Sequence, residues 1–307
     1  MPTAALIDTA ELAALIDRGG IVLLDCRFDL ASPEAGRRAY LAGHIPGARH
    51  ADLNRDLSST PTPASGRHPL PDPKRTRAWL RTLGVCSGVR VVAYDESNAA
   101  FAARAWWLLR WLGHREVSVL DGGLKSWIDR GGALEAGEPT PSAPRPVAEN
   151  PCRDDDSRLE RPVPDDWPVL ADGPVLDDGV LDTSTLERAL GDARVLLIDA
   201  RAPERFAGSV EPIDPVAGHV PGAVNHPFQS NLDADGRFLS RRELERRWRA
   251  RLAGRSAADV VMMCGSGVTA CQNLLALEIA GLPGAKLYAG SWSEWIRDPS
   301  RAIARGA

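Results

Sequence analysis

The feature that most constrains this chain is that its sequence repeats. Four segments of the first half recur in the second half in the same order, and each recurrence follows its first copy by 174, 175, 169 and 168 residues in turn. Matches in constant order at nearly constant spacing indicate a tandem duplication of one domain. The paired segments are VLLDCR (22–27) with VLLIDAR (195–201), AGHIPGA (42–48) with AGHVPGA (217–223), VRVVAYDESN (89–98) with ADVVMMCGSG (258–267), and LDGGLKSW (120–127) with YAGSWSEW (288–295).

Within each copy, short apolar runs alternate with segments of helical periodicity. Apolar strands separated by helices predict a parallel sheet covered on both faces, in which functional sites form at the carboxyl ends of the strands. The predicted helices are Thr9–Arg18, Pro73–Leu83, Phe101–Leu112, Thr183–Leu190, Arg241–Arg251 and Ala270–Ala280, and the predicted strands include Ile21–Leu24, Val195–Ile198 and Val260–Met263.

The chain has 307 residues, which is long enough for two domains with a core each. A segment rich in proline, aspartate and glycine separates the two copies and is typical of an extended linker. We therefore predict a first domain at 1–135, a linker at 136–178 and a second domain at 179–307.

Composition excludes several classes of function. The net charge of −4 gives no basic face for nucleic acid. The chain contains no apolar run of about 18 residues, so no membrane span is predicted. Its five cysteines form no C-x-x-C pair, which argues against a zinc site or a disulfide framework and favours a reducing cytoplasm.

Cys264 stands where an apolar run ends and a Gly-Ser-Gly turn begins. Glycines let successive backbone N–H groups turn toward one point, and a following helix adds its positive end. Such a cradle favours the thiolate over the thiol and could hold a persulfide or an anion. The alternative is a small buried apolar side chain, which is our interpretation for Cys26, Cys86, Cys152 and Cys271. Ala270 occupies the place where C-x5-R phosphatases need an arginine, which disfavours phosphoryl transfer.

The loop CGSGVTA resembles the active-site loop of the rhodanese family, as do the repeated Asp-x-Arg, Gly-His-x-Pro-Gly-Ala and Asp-Gly-Gly…Trp blocks. The layout is similar to that of the thiosulfate and 3-mercaptopyruvate sulfurtransferases over nearly the whole chain. The resemblance implies an α/β fold of two tandem rhodanese-like domains, each a five-stranded parallel sheet flanked by helices. It also implies an inactive first copy, because Asp95 replaces the cysteine there.

The resemblance assigns roles to individual residues. Cys264 would carry the sulfur as a persulfide, and Ser266 would relay a proton with His68. The acidic partner of that histidine falls on Asn54, between Asp52 and Asp56. The backbone groups expected to bind substrate belong to Gly265, Gly267, Val268 and Thr269.

Arg205 matches an arginine that binds the donor's carboxylate, whereas a second family arginine has no counterpart here, because the segment is two residues shorter and carries Ile213 and Asp214. Thiosulfate-preferring loops resemble C-R-K-G-V-T, so Gly265 and Ser266 favour mercaptopyruvate because two cations are missing.

We expect the active site to lie between the domains, with His68 reaching across. His44 and His219, in the repeated turn, and Trp292 and Trp295 are expected to be structural.

The predicted function is transfer of a sulfur atom from 3-mercaptopyruvate or thiosulfate. The acceptor would be a thiol, such as thioredoxin or a small thiol, or cyanide. No metal or organic cofactor is expected. Three alternatives stay open: a thiosulfate-specific rhodanese, a persulfide carrier or binding module with little small-molecule turnover, and a thiol redox sensor.

Overall fold

The computed structural model describes residues 4–138 and 179–306. The chain divides into two compact units. The first comprises Met1–Leu57 and Pro71–Leu176, and the second comprises Ser58–Leu70 and Asp177–Ala307. Ser58–Leu70, called the 58–70 segment below, thus belongs to the second unit although it lies within the predicted first domain.

The first unit contains one parallel five-stranded sheet with the strand order β1-β5-β4-β2-β3. Its elements are β1 (Leu6–Ile7), α1 (Thr9–Arg18), β2 (Ile21–Asp25), α2 (Glu34–Ala42), β3 (Arg49–His50), α3 (Pro73–Thr82), β4 (Arg90–Tyr94), α4 (Ala102–Trp111), β5 (Val117–Leu120) and α5 (Gly123–Asp129).

The second unit repeats this topology, with the parallel strand order β6-β10-β9-β7-β8. Its elements are β6 (Val180–Leu181), α6 (Thr183–Ala189), β7 (Leu196–Asp199), α7 (Pro203–Ala207), β8 (Val224–Asn225), α8 (Arg241–Leu252), β9 (Val260–Met263), α9 (Ala270–Ile279), β10 (Lys286–Tyr288) and α10 (Ser291–Trp295).

The predicted α/β fold of two parallel five-stranded sheets is confirmed. The central strands β4 and β9 are apolar without alternation, because both of their faces are buried. Thr9–Arg18 and Val260–Met263 have the predicted bounds. Phe101–Leu112 and Val195–Ile198 differ from the observed elements by one residue at both ends, and the other predicted elements differ by one residue at one end. The two-residue edge strands were not predicted, because a run that short has no periodicity.

The repeated Asp-x-Arg pairs hold the repeated turns in place. Arg27 donates to Asp25 and, at 2.7 Å, to the carbonyl of Gly43, and Arg201 donates to Asp199 and, at 2.7 Å, to the carbonyl of Gly218. Each buried ion pair therefore fixes the chain at the end of β2 or β7 to the repeated turn.

The two histidines of the repeated turn have structural roles, as predicted. His44 stacks on Tyr40, and His219 stacks on Phe206, each with Nδ1 against the carbonyl oxygen of its stacking partner. Trp292 and Trp295 lie in the core of the second unit, also as predicted.

Some predictions cannot be compared with the structure. Most of the predicted linker 136–178, including Cys152, lies outside the described residues. The interpretation of Cys86 as a simple buried apolar residue is wrong, because Cys86 is buried but takes part in a disulfide. This disulfide also runs against the prediction of a reducing compartment that was drawn from the cysteines. Within residues 4–138 and 179–306, no helix is both long and apolar enough to cross a membrane.

Candidate active site

Cys264 lies directly after β9, at the carboxyl end of a central strand, and its side chain is buried. Its backbone N–H donates to Ser291 Oγ at 3.0 Å. Ser291 begins α10 with a φ of 51°, a conformation that is uncommon for a residue with a side chain. The serine hydroxyl that this conformation presents holds the first peptide of the loop.

The start of α10 also binds the carbonyl groups of the loop. Trp292 N–H donates to the Cys264 carbonyl at 3.0 Å, and Ser293 N–H donates to the Gly265 carbonyl at 2.9 Å. Because both carbonyls accept N–H groups of α10, that helix fixes the peptides around the cysteine through backbone hydrogen bonds.

Gly267 is required by its conformation and by its surroundings. Its φ is 75°, and a Cβ atom there would lie 2.3 Å from the carbonyl oxygen of Ala289. No L-residue with a side chain fits without moving backbone, so the second glycine of Gly-Ser-Gly allows the loop to pass close to the end of β10.

We expect Gly267→Ala to destabilise the second unit and to reduce activity through displacement of the loop. The positive φ costs about 1–2 kcal/mol for alanine, and the close contact adds about 1–3 kcal/mol. Gly222→Ala is the matched control, because its φ is 82° with nothing within 4 Å of the added Cβ. Urea unfolding of both variants measures the difference, and equal losses of stability would contradict the steric explanation.

The turn after Cys264 presents backbone donors. In the described part of the chain, the N–H groups of Ser266, Val268 and Thr269 donate to no acceptor. Gly267 turns the chain between them, and α9 begins directly afterwards. These donors are available to an anion bound beside the cysteine.

In the first unit, the corresponding loop binds the Asp95 side chain with its backbone N–H groups. Asp95 stands at the place of Cys264, and its carbonyl and that of Glu96 accept N–H bonds from Leu124 and Lys125, the pattern seen at α10. The Asp95 carboxylate accepts the N–H groups of Ala99, Phe101 and Ala102 at 2.9–3.1 Å. Burial raises the pKa of Asp95, and these hydrogen bonds oppose the rise. The loop type of this fold therefore binds a negatively charged group with its backbone.

The structure brings His68 and Ser266 together. His68 Nδ1 lies 2.7 Å from Ser266 Oγ, and both side chains are buried. The two residues are 198 positions apart in sequence, and they meet because the 58–70 segment packs within the second unit. The predicted pairing of this histidine with the loop serine is thereby seen in the geometry, and its role in proton transfer stays a prediction.

The 58–70 segment is held against α10 by its backbone. Gly66 N–H donates to Glu294 Oε2 at 3.3 Å, and Arg67 N–H donates to Ser293 Oγ at 3.0 Å. A Cβ atom on Gly66 would lie 2.6 Å from the Gly290 carbonyl oxygen. This close approach places the residue before His68 on the same helix start that binds the Cys264 loop.

Arg205 lies in a cluster of charged side chains beside the loop. It donates to Glu211 at 2.8 Å and to Asp214 at 3.0 Å, and Asp214 also pairs with Arg67. Burial raises the pKa of Asp214, and the two arginines oppose the rise. Burial acts in the same direction on Glu211, but its hydrogen bonds from Arg205 leave the pKa of Glu211 below its ordinary value.

A Cβ atom on Gly265 would lie 3.0 Å from Arg67 Nη2 and 3.5 Å from both Nη atoms of Arg205. The loop itself lacks the cations of C-R-K-G-V-T, but two guanidinium groups from elsewhere lie next to it. The cysteine is therefore near two positive charges even though the loop supplies none, and the missing loop cations alone do not exclude thiosulfate.

Other predicted residues lie as follows. Cys26 and Cys271 are buried thiols, and burial, with Asp25 nearby, raises the pKa of the Cys26 thiol well above its ordinary value. Asp52 accepts the backbone N–H of exposed Asn54, and Asp56 accepts the backbone N–H of Asp52. The acidic partner of His68 stays a prediction.

Sequence reasoning missed Arg67, Ser291 and Ser293, and it treated Asp214 only as a departure from the family pattern. The proximity of Arg67 to His68 in sequence was the one available signal. Ser291 and Ser293 lie in the repeated block at 288–295, but neither is recognisable there as a contact of the cysteine loop.

Comparison with known proteins shows the family to which the chain belongs. A family model described as the rhodanese-like domain matches residues 8–130 and 182–298. The chain is 47% identical over 308 residues to a Pseudomonas aeruginosa protein named "Probable 3-mercaptopyruvate sulfurtransferase", covering 100% of both. It is 31% identical over 315 residues to the thiosulfate sulfurtransferase of Cricetulus griseus, covering 98% of this chain and 96% of that one.

Among solved structures, the chain is similar to SseA from Escherichia coli, one of the 3-mercaptopyruvate sulfotransferases. The TM-score is 0.72 at 31% identity, with 95% of this chain and 100% of that chain covered. Because both donors occur among the names of similar proteins, the choice of donor has to be argued from the site.

Proposed function

Because this chain belongs to the rhodanese family and is a sulfurtransferase, we propose that Cys264 carries the transferred sulfur as a persulfide and that 3-mercaptopyruvate is the preferred donor. The observation that carries the choice of donor is the 2.7 Å contact of His68 with Ser266, two residues after the cysteine. A proton relay at that place is useful only for a leaving group that must be protonated.

In the first half-reaction, the Cys264 thiolate attacks the thiol sulfur of mercaptopyruvate. An S–S bond forms, the carbon–sulfur bond breaks, and its electron pair leaves with the carbon as the enolate of pyruvate. The cysteine sulfur and the transferred sulfur are both oxidised to the persulfide level, and the carbon takes up the electrons that the two sulfur atoms lose. Donors of the loop backbone, from Gly265 to Thr269, stabilise the outer sulfur as Asp95 is stabilised in the first unit.

The enolate must then take up a proton to become pyruvate. We infer that Ser266 Oγ delivers it and that His68 Nδ1 replaces the proton on the serine, and the 2.7 Å contact between these two atoms supports this relay. Sulfite, the product from thiosulfate, leaves as a stable anion without this step. The Ser266–His68 pair therefore favours mercaptopyruvate over thiosulfate.

In the second half-reaction, an acceptor thiolate attacks the outer sulfur, and Cys264 leaves as a thiolate. The acceptor would be thioredoxin, a small thiol or cyanide, with the reaction in the cytoplasm, where such thiols are reduced. The first unit contributes no nucleophile at the matching place, because Asp95 occupies the loop there.

The test compares donors on the purified protein. We expect kcat/KM for 3-mercaptopyruvate, assayed with a thiol acceptor, to exceed that for thiosulfate, assayed with cyanide, by about 100-fold, the contribution typical of a general acid. Mass spectrometry after donor treatment without acceptor should find one added sulfur on the Cys264 peptide. A preference for thiosulfate would contradict the choice of donor, and a persulfide without turnover would favour the carrier alternative.

A further inference from the structure

Arg67 and Arg205, beside the Cys264 loop, have N–H groups that their ion pairs do not use. Arg205 donates through Nε and Nη2 to Glu211 and Asp214. Its Nη1 donates to nothing in the part of the chain that the structure describes. Arg67 pairs with Asp214 through Nη1, whereas within the same described residues its Nη2 donates to no acceptor and its Nε is buried with no partner.

The unused donors border the space in front of Gly265. Arg67 Nη2 lies 3.0 Å and Arg205 Nη1 lies 3.5 Å from the place where a side chain at this position would begin. Because Gly265 has no side chain, both guanidinium groups can approach the loop beside Cys264. An anion held in front of these two groups would receive hydrogen bonds from both.

Asp214 makes this arrangement possible. Two guanidinium groups at such close range repel each other, and a buried carboxylate that pairs with both offsets the repulsion. The side chains of Asp214 and Glu211 are only 3% and 4% exposed, so the two arginines are held by fixed partners rather than by solvent. The anion site is therefore preorganised.

We propose that Arg67, together with Arg205, binds the carboxylate of the sulfur donor. Arg67 thus takes the place of the second arginine that has no counterpart in the second sequence copy. This role deepens the proposed function and rests on it. The loop segment that brings His68 to Ser266 also brings the second cation to the donor.

A carboxylate fits this site in shape and in charge. Guanidinium groups bind the planar carboxylate through paired hydrogen bonds. The two cations of Arg67 and Arg205 are offset by Asp214 and Glu211, so a singly charged carboxylate meets less uncompensated repulsion than the dianion of thiosulfate.

Arg67→Ala tests the assignment with two donors. For 3-mercaptopyruvate we expect KM to rise about 10- to 100-fold, because a hydrogen bond to a charged group is lost. The value of kcat should change little. For 1-mercapto-2-propanone, which has the same ketone and thiol but no carboxylate, kcat/KM should stay the same. Arg67→Lys should recover part of the affinity, because it keeps the charge without the paired geometry. Equal losses with both donors would overturn the proposal.

Arg297→Ala is the matched control. Arg297 is exposed and donates to the Ser65 carbonyl at 3.3 Å, so its loss affects the anchoring of the 58–70 segment without removing a guanidinium group at Gly265. We expect its KM for mercaptopyruvate to be that of the unaltered protein. A KM as high as that of Arg67→Ala would mean that segment anchoring explains the effect.

Pyruvate binding tests the carboxylate site independently of sulfur transfer. In calorimetry on the full chain carrying Cys264→Ser, we expect added Arg67→Ala to weaken pyruvate binding at least about 10-fold. This result can stand even if mercaptopyruvate proves not to be the donor. Unchanged pyruvate affinity would overturn the role of Arg67, and a loss confined to thiosulfate binding would overturn the assignment to a carboxylate.

Discussion

Cys264→Ser should abolish sulfur transfer from both donors while the protein stays folded. A serine hydroxyl is not ionised near neutral pH and cannot carry sulfur as a persulfide, so the covalent route is lost. The expected fall in kcat is about 10³-fold or more, as for other nucleophile replacements. The measurement is steady-state turnover of each donor, with circular dichroism and urea unfolding to verify the fold.

Cys271→Ser is the matched control for this change. Cys271 is also a buried cysteine, seven residues further along in α9, and its thiol donates to the Gly267 carbonyl at 3.3 Å. A serine hydroxyl can keep that hydrogen bond, so activity should stay within a few-fold of the unaltered protein. If Cys264→Ser retained turnover, the sulfur would have to be carried elsewhere and the proposed mechanism would fail.

The second large effect is expected from His68→Gln, and it should depend on the donor. Without the imidazole, Ser266 cannot recover the proton that it gives to the enolate. Turnover of mercaptopyruvate should fall by about 10²–10³-fold, the range for loss of a general acid. Thiosulfate turnover should change only a few-fold, because sulfite leaves without a proton. Steady-state kinetics with both donors measures the contrast.

Ser266→Ala provides the companion measurement. It should give the same contrast between donors, because the serine and the histidine act in one relay, and the double variant should lose little more than either single variant. A similar loss with both donors would instead indicate that His68 serves only to pack the 58–70 segment. Additive losses would show that the two side chains act separately.

Much of this protein follows from local patterns in the chain. Apolar runs and helical periodicity predict the strands and helices to within a residue or so, because burial on both faces of a parallel sheet requires continuous apolar strands. The duplication predicts that the fold occurs twice. The Gly-Ser-Gly turn after Val260–Met263 locates Cys264 at a strand end, since turn conformation depends on the residues in the turn itself.

The sequence by itself therefore determined the two parallel sheets, the position of Cys264 at a strand end and the family, and the resemblance to that family also predicted His68 and Arg205 beside the loop. Only the tertiary structure added Arg67, Ser291 and Ser293 to the surroundings of Cys264. The 58–70 segment belongs to the first sequence copy but packs in the second unit, so Arg67 and His68 are part of that unit. Asp214 looked like a departure from the family pattern and turned out to join Arg67 to Arg205. Contacts of this kind join residues far apart in the chain, and they depend on packing and charge pairing that no local pattern encodes.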